Sequence, residues 1–332
     1  MVRALVLTII NMNMGKCFKI KIGAFFLFTL MLSLSSCDSE DQGNQFPLSA
    51  IISQSSNGKK VAFQGLTHSA VSWEWDFGDG NTSTAQNPVH VYEEGGYYLA
   101  TLKATDENGA QVTAEVRLAL DLTPYALLTG DRTAEGYQGK TWKLANSHSE
   151  FDYFATADPD LTPVPGTPVP LSAGIFGAGL GMGEVYQDEF TFHFDGTYRH
   201  DVKEDGASLG GIVYQFVTTQ GAGIVNASGA DFGLCTGAYT PEDNATFTFV
   251  ENEDYTVSSV FGPNGTLTFN NVSTLDFSGT EFIGFMDFDR KVIVQELTDS
   301  SMRLMMFMAA GQEPPIIGIN TNALILTFEV VR

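Results

Sequence analysis

The spacing Gly206-Ala207-Ser208-Leu209-Gly210 fits the Gly-x-Ser-x-Gly arrangement that presents a nucleophilic serine. That chemistry needs a strand–turn–helix elbow and a histidine later in the chain to take the serine proton. All five histidines (His68, His90, His148, His193 and His200) precede Ser208, and no helix is expected after it, so the pattern does not predict a hydrolase. His193 and His200 flank a candidate hairpin and could pair across it as metal ligands, yet strand alternation through Asp195-Gly196 does not by itself give them a common site, and no His-Glu-x-x-His pair exists. Gly177, Gly179, Gly181 and Gly183 read as a flexible loop, because neither frame gives Gly-x-Gly-x-x-Gly ahead of a helix. Glycosidases need two carboxylates a few ångströms apart. Among 39 Asp and Glu a chance pair proves nothing, and the Glu-x-Asp-x-x-Glu signature of one glucanase family is absent. Cys235 has no partner histidine near it in sequence and reads as a small buried hydrophobe.

Aromatic residues offer a different chemistry. Sugars present flat C–H faces on which aromatic rings stack, while Asp, Asn and Gln take the hydroxyls. Phe190, Phe192 and Phe194 alternate along a strand and belong to a core. Phe151, Tyr153, Phe154, Tyr186 and Tyr239 fall in long irregular segments, where alternation does not explain them, and are the expected glycan-binding residues.

The elements that must position them are strands. Helical periodicity is nearly absent, and short runs of Val, Ile, Thr, Phe and Tyr alternate with turn pairs such as Asn57-Gly58, Asp79-Gly80, Asn108-Gly109 and Asp195-Gly196. The class is all-β. From Tyr137 to Arg332 the expected strands are 140–146, 188–195, 197–202, 212–218, 245–250, 266–270, 273–277, 281–286, 291–297, 302–308 and 322–331. They predict an antiparallel β-sandwich of jelly-roll or carbohydrate-binding-module type, or else a closed β-barrel. The irregular segments 147–187 and 219–243 interrupt them; loops of that length are commonly functional.

Residues 46–122 form an earlier block. Trp73-Glu74-Trp75-Asp76-Phe77-Gly78-Asp79-Gly80, then Asn87-Pro88-Val89-His90-Val91-Tyr92, then Gly96-Tyr97-Tyr98-Leu99-Ala100-Thr101-Leu102 follow in order. This series closely resembles the PKD domain, an immunoglobulin-like sandwich, with only Ala100 standing where Val is usual. Val71, Trp73, Trp75 and Phe77 share one strand face and are expected to bury, as are Tyr98, Ala100 and Leu102. His90 and Tyr92 read as hydrogen-bonded core residues. The resemblance implies a spacer and orienting module. No cofactor or metal is expected, apart from a structural calcium that Asp76 or Asp79 could hold. Residues 123–136, with Pro124 and Gly130, read as a linker.

The block 137–332 carries Lys140-Thr141-Trp142-Lys143-Leu144, the run Asp188 through Tyr198, and Glu281-Phe282-Ile283-Gly284-Phe285. In these stretches it resembles the C-terminal domains of PKD-bearing surface lipoproteins in glycan-uptake systems of the Bacteroidota. This resemblance implies a partner polysaccharide and a place beside a SusC/SusD-type transporter. After Trp142 this chain reads Ser147-His148-Ser149-Glu150-Phe151-Asp152-Tyr153-Phe154, where many such proteins carry a Gly-His-x-Gly-Val-Gly-Pro-like sequence.

At the start, Lys16, Lys19 and Lys21 precede an apolar run, Ile22 to Leu34, that ends in Leu34-Ser35-Ser36-Cys37. Basic, apolar and small residues in that order make a secretory signal. The cysteine resembles the lipidation site of bacterial lipoproteins, which implies cleavage of residues 1–36, a lipid on Cys37, and residence at the outer membrane. Translation could equally begin at Met14. The acidic tether 37–45 resembles the export mark of outer-leaflet lipoproteins. Residues 1–36 hold four basic residues and no acid, so the remainder carries 13 Lys and Arg against 39 Asp and Glu, a formal −26. Such a surface excludes nucleic acid and suits a neutral polymer. The function expected is non-catalytic glycan capture, with a surface glycosidase or an adhesion protein as alternatives.

Overall fold

The computed structural model describes residues 46–332; the signal segment, Cys37 and the tether lie outside the described residues. The fold is nearly all-β.

The first region pairs two antiparallel sheets. One contains β1 (Ser49–Asn57), β2 (Lys60–His68) and β5 (Val89–Val91). The other contains β3 (Ala70–Asp76), β4 (Thr82–Ser83), β6 (Gly96–Asp106) and β7 (Gln111–Leu120), in the order β4-β3-β6-β7. Alternation aims Val61, Phe63, Trp75, Phe77, Tyr98, Ala100 and Leu102 between the sheets, where all are buried. Two buried polar tips reach carbonyls: Trp75 Nε1 donates to Ala85 O (2.9 Å) and Tyr92 Oη to Phe77 O (3.0 Å). Gly78 makes the turn after β3 with φ of 80°, and a Cβ there would lie 2.6 Å from Leu99 O, so no other residue fits. Val71 departs from expectation. The β3–β6 register slips between Ala70 and Ser72, and that bulge turns Val71 outward to 52 % exposure.

The expected linker forms helix α1 (Pro124–Thr129), with Thr123 Oγ1 accepting from Ala126 N and Pro124 in the first turn. It docks on the second region, where Trp142 Nε1 donates to Leu128 O (3.0 Å) and Tyr125 Oη to Phe194 O (3.0 Å).

The second region is one strongly curled antiparallel sheet. Its strands are β8 (Lys140–Leu144), β9 (Tyr153–Thr156), β10 (Glu189–Phe192), β11 (Tyr198–Asp201), β15 (Phe247–Ser258), β16 (Thr266–Phe277), β17 (Val292–Leu297), β18 (Ser301–Met308) and β19 (Asn322–Val330). The order is β11-β10-β8-β19-β18-β17-β16-β15, with β9 pairing β19 beyond the end of β8. The end strands meet only at the bridge Thr197↔Thr246, so the sheet is a half-barrel and the closed-barrel alternative does not hold. Leu324, Leu326 and Phe328 face the main core; Ala323 and Ile325 face a second cluster with Val257 and Leu267 of the long β15–β16 hairpin.

Two expected strands are something else. Residues 212–218 lie in helix α2 (Ile212–Thr219), although Ile212, Val213 and Val217 favour strands. As a helix the segment buries Ile212, Val213 and Gln215 beside Cys235 and caps the small sheet of β12 (Ala207–Gly211), β13 (Ile224–Asn226) and β14 (Leu234–Ala238). Residues 281–286 cross the interior as a buried segment bridged only at Gly210↔Met286. Gly284, at φ of 71°, bends it around Phe328, whose ring would stand 2.4 Å from a Cβ. The irregular segment 147–187 contains β9, and 219–243 contains β13 and β14.

Candidate functional site

A groove of about 390 Å³ opens where β18 ends and β19 begins. Its floor is apolar: Phe154 of β9, Leu234 of β14, Met308 of β18 and Leu324 of β19 are all buried members of the main core. Its rim is polar, with Thr167, Asp231, Gln312 and Asn322. One wall is the turn Val164–Thr167, held to β9 by Val164 N donating to Phe154 O (2.9 Å) and closed by Thr167 Oγ1 donating to Val164 O (2.7 Å). Asn322 Oδ1 accepts from Thr321 Oγ1 (2.8 Å) and Nδ2 donates to Ala155 O (3.3 Å), which fixes the amide at the rim.

The opposite wall is the single 3-10 turn Ala230–Phe232 between Gly229 and Gly233. Phe232 N donates to Gly229 O, and Gly233 N to Ala230 O, both at 2.9 Å. The turn leaves the Phe232 ring 47 % exposed at the mouth of the groove, an orientation that burial does not explain. Asp231 is the one carboxylate in the lining. Such a site can stack an apolar face against Phe232 and hydrogen-bond its edge; it lacks the carboxylate pair that glycoside hydrolysis needs.

The five expected binding residues are not brought together. Phe154 reaches the groove, but as buried floor at 8 % exposure. Tyr153, next to it on β9, points to the other face of the sheet and packs on the second cluster. Tyr186 packs against the main core, with its hydroxyl 2.9 Å from His148 Nε2. Tyr239 lies against His200 and Phe282, ring centroids 5.4 and 4.8 Å away. Phe151 is 53 % exposed, with the Arg303 guanidinium 4.6 Å from its ring centroid. Phe232, Asp231, Gln312 and Asn322 have no place among the residues expected from sequence. The signal for Phe232 is a lone aromatic bracketed by Gly229 and Gly233 in a segment already marked as irregular.

Two polar clusters resemble catalytic sets, but their hydrogen bonds serve the fold. Where β8 leaves β19 and before β9 joins it, Asp152 fills the gap in the strand edge: Oδ2 accepts from Thr327 N (3.0 Å) and His148 Nδ1 (2.9 Å), and Oδ1 accepts from Ser149 and Thr327 hydroxyls. Burial works to raise the Asp152 pKa, but the His148, Ser149 and Thr327 hydrogen bonds outweigh it and hold the carboxyl below its usual range. Ser208 is mid-strand in β12 and 1 % exposed; a helix does follow it, contrary to expectation, but its hydroxyl donates to Asp188 Oδ2 (2.6 Å). Burial pushes the Asp188 carboxyl up to about 8 against that hydrogen bond. The register sets His200 opposite Phe190 and buries it, while His193 stands out toward the turn beside Tyr137. In the first region His90 Nε2 lies 2.6 Å from Asp79 Oδ2 and stacks on Phe77, and Asp76 Oδ1 accepts from Gly78 N (2.8 Å), so both carboxylates considered for calcium are engaged.

Residues 41–120 match the family model of the PKD domain, so the chain contains that domain. The curated relatives are similar through their PKD domains, which are non-catalytic. Collagenase ColQ1 of Bacillus cereus strain Q1 is 48% identical over 50 residues, 15% of this chain and 5% of that protein. Collagenase ColA of Bacillus cereus strain ATCC 14579 is 29% identical over 92 residues, 28% of this chain and 9% of that protein. The chain thus spans less than a tenth of either relative. Among solved structures, the PKD1 domain of the Vibrio cholerae metalloprotease PrtV is 32% identical over 23% of this chain and 98% of its own, with a TM-score of 0.22. A β-sandwich carbohydrate-binding module described for promiscuous specificity covers 86% of this chain and 93% of its own, at 12% identity and a TM-score of 0.23.

Proposed function

We propose that this is a non-catalytic glycan-binding protein whose second region captures a neutral polysaccharide and whose PKD domain spaces it from its attachment. The observation that carries the reading is the Phe232 ring, presented at the mouth of a groove with an apolar floor and a polar rim. Aromatic platforms flanked by amide and hydroxyl groups suit the alternating C–H faces and hydroxyls of sugars. The strongly acidic composition favours an uncharged ligand. The Leu34-Cys37 junction supports a lipid anchor at the outer membrane, and the resemblance of the second region supports work beside a SusC/SusD-type transporter.

The test is affinity electrophoresis and calorimetry against soluble neutral glucans, xylan and mannan. Wild type is expected to bind one class, and Phe232→Ala to bind it about tenfold more weakly, ~1.4 kcal/mol, with an unchanged melting temperature. A Phe232 variant that binds as wild type refutes the groove, and release of new reducing ends by the wild type refutes the non-catalytic reading. Fatty-acid labelling that persists in Cys37→Ala refutes the anchor.

A further inference from the structure

The far end of β19 carries a second cleft, of about 580 Å³, lined by Lys143, Ser147, Ser149, Ser301 and Glu329 among others. Thr327 and Glu329 alternate onto the face that Ala323 and Ile325 share, the reverse of the face that floors the groove. At ~3.3 Å per residue, Glu329 stands about 23 Å along β19 from Asn322 of the groove. Phe151 adjoins this cleft through Ser149, whose Oγ accepts from Phe151 N (3.2 Å).

Three features make the place look built. The Phe151 ring has one face covered by Arg303, which Glu296 holds at 2.8 Å, and over half of its surface remains exposed. The turn that carries it is locked by Asp152, itself fully buried and bonded to His148, Ser149 and Thr327. In the lining Lys143 pairs with Glu329 at 3.3 Å, beside it Arg303 pairs with Glu296, and the Arg332 guanidinium adds further donors, so hydrogen-bond donors and acceptors stand side by side.

We propose that this cleft is a second saccharide site, with Phe151 as its stacking platform and the Lys143–Glu329 pair hydrogen-bonding neighbouring hydroxyls of an uncharged sugar. The inference rests on the glycan reading above and adds a consequence to it: a polymer can engage two sites on opposite faces, so avidity for polysaccharide exceeds affinity for a short oligosaccharide.

The experiment is calorimetry on the full chain with cellohexaose, laminarihexaose, maltohexaose, xylohexaose and mannohexaose and with the matching polymers. The hexasaccharide that binds is expected to fill two sites on the wild type. Phe151→Ala is expected to remove one of them, to weaken polymer binding at least about tenfold, and to leave the melting temperature unchanged; Phe151→Tyr, which keeps the ring, should restore both. A wild type with one site that Phe232→Ala abolishes and Phe151→Ala spares overturns this inference and leaves the groove standing. A single site that Phe151→Ala abolishes and Phe232→Ala spares refutes the groove instead. No binding by any sugar or polymer refutes both.

Discussion

The two regions bury comparable aromatic cores but treat buried polarity differently. In the PKD domain Trp75, Tyr92, His90 and Asp79 each have a partner. In the curled sheet, among the described residues, Asp188 Oδ1, His200 Nε2 and Asp287 Oδ2 are buried without one, and the buried His200 Nδ1 meets Glu281 Oε2 only at 3.6 Å. In the PKD domain these polar groups tie strands and turns together. The second region presents two clefts along one central strand and leaves part of its buried polarity without a hydrogen bond.

Breaking each core is the largest test of that contrast. Phe192→Ala, which removes a buried ring packed against Tyr198 and Phe247, is expected to cost ~3–5 kcal/mol and to abolish glycan binding. Trp75→Ala should cost a similar ~3–5 kcal/mol in the PKD domain while glycan affinity survives. Urea melts followed by near-UV dichroism, with binding measured in parallel, separate these outcomes; loss of affinity in the Trp75 variant would make the PKD domain part of the site.

Next in size is Asp152→Ala, which strands Thr327 N–H and the His148 ring. The expected loss is about 1–3 kcal/mol for each group left unpaired, read from the midpoint of the same melts. Because that residue also holds the Phe151 turn, weaker binding should accompany it.

Individual buried carboxyls should also answer pH in opposite directions. Asp188 and Asp287 have folded pKa values raised by burial, to about 8 and about 7, so their contribution to stability is fully present below the unfolded carboxylate pKa and is lost as pH rises through those values. For Asp79 burial acts upward, but the His90 and Asn81 hydrogen bonds prevail and lower it; its contribution is present above the unfolded pKa and lost as pH falls through the folded one. Scanning calorimetry from about pH 2 to pH 9 should show the Asp188 and Asp287 contributions fading toward alkali, and those of Asp79 and Asp152 fading as pH falls below the usual carboxylate range. Asp188→Asn should flatten the alkaline limb; an unaltered limb would place the titration elsewhere. The smallest effect belongs to Val71→Thr, expected within about 0.5 kcal/mol of wild type, since the bulge has already put that side chain in water.

Period-two alternation makes most of the PKD core legible, because each strand there has one wet and one dry face. It fails at Val71, where one inserted residue shifts the phase. In the second region the same signal finds β8, β10, β11 and the β16–β19 strands. It misreads Ile212–Thr219, whose β-branched residues favour a strand that has no partner to pair with, and Glu281–Met286, which is apolar because it crosses the core. Tyr153 and Phe154 read as loop aromatics although they alternate across β9, a strand too short to register beside its prolines. Phe232 escapes notice because a ring on a three-residue turn has no periodicity at all; only its glycine neighbours mark it.

Helix α1 has a mechanical consequence. Any pull on the chain ahead of Thr123 enters the second region through this helix, whose Leu127 and Leu128 carbonyls accept from Lys140 Nζ (2.7 Å) and Trp142 Nε1 (3.0 Å) at the root of β8. That strand is hydrogen-bonded on both edges, to β10 and to β19. Tension along it therefore loads two rows of antiparallel hydrogen bonds in shear, all at once, instead of unzipping them singly. A load entering here is shared between β10 and β19 at once, so β19, which carries both clefts, is not peeled from its neighbours one bond at a time.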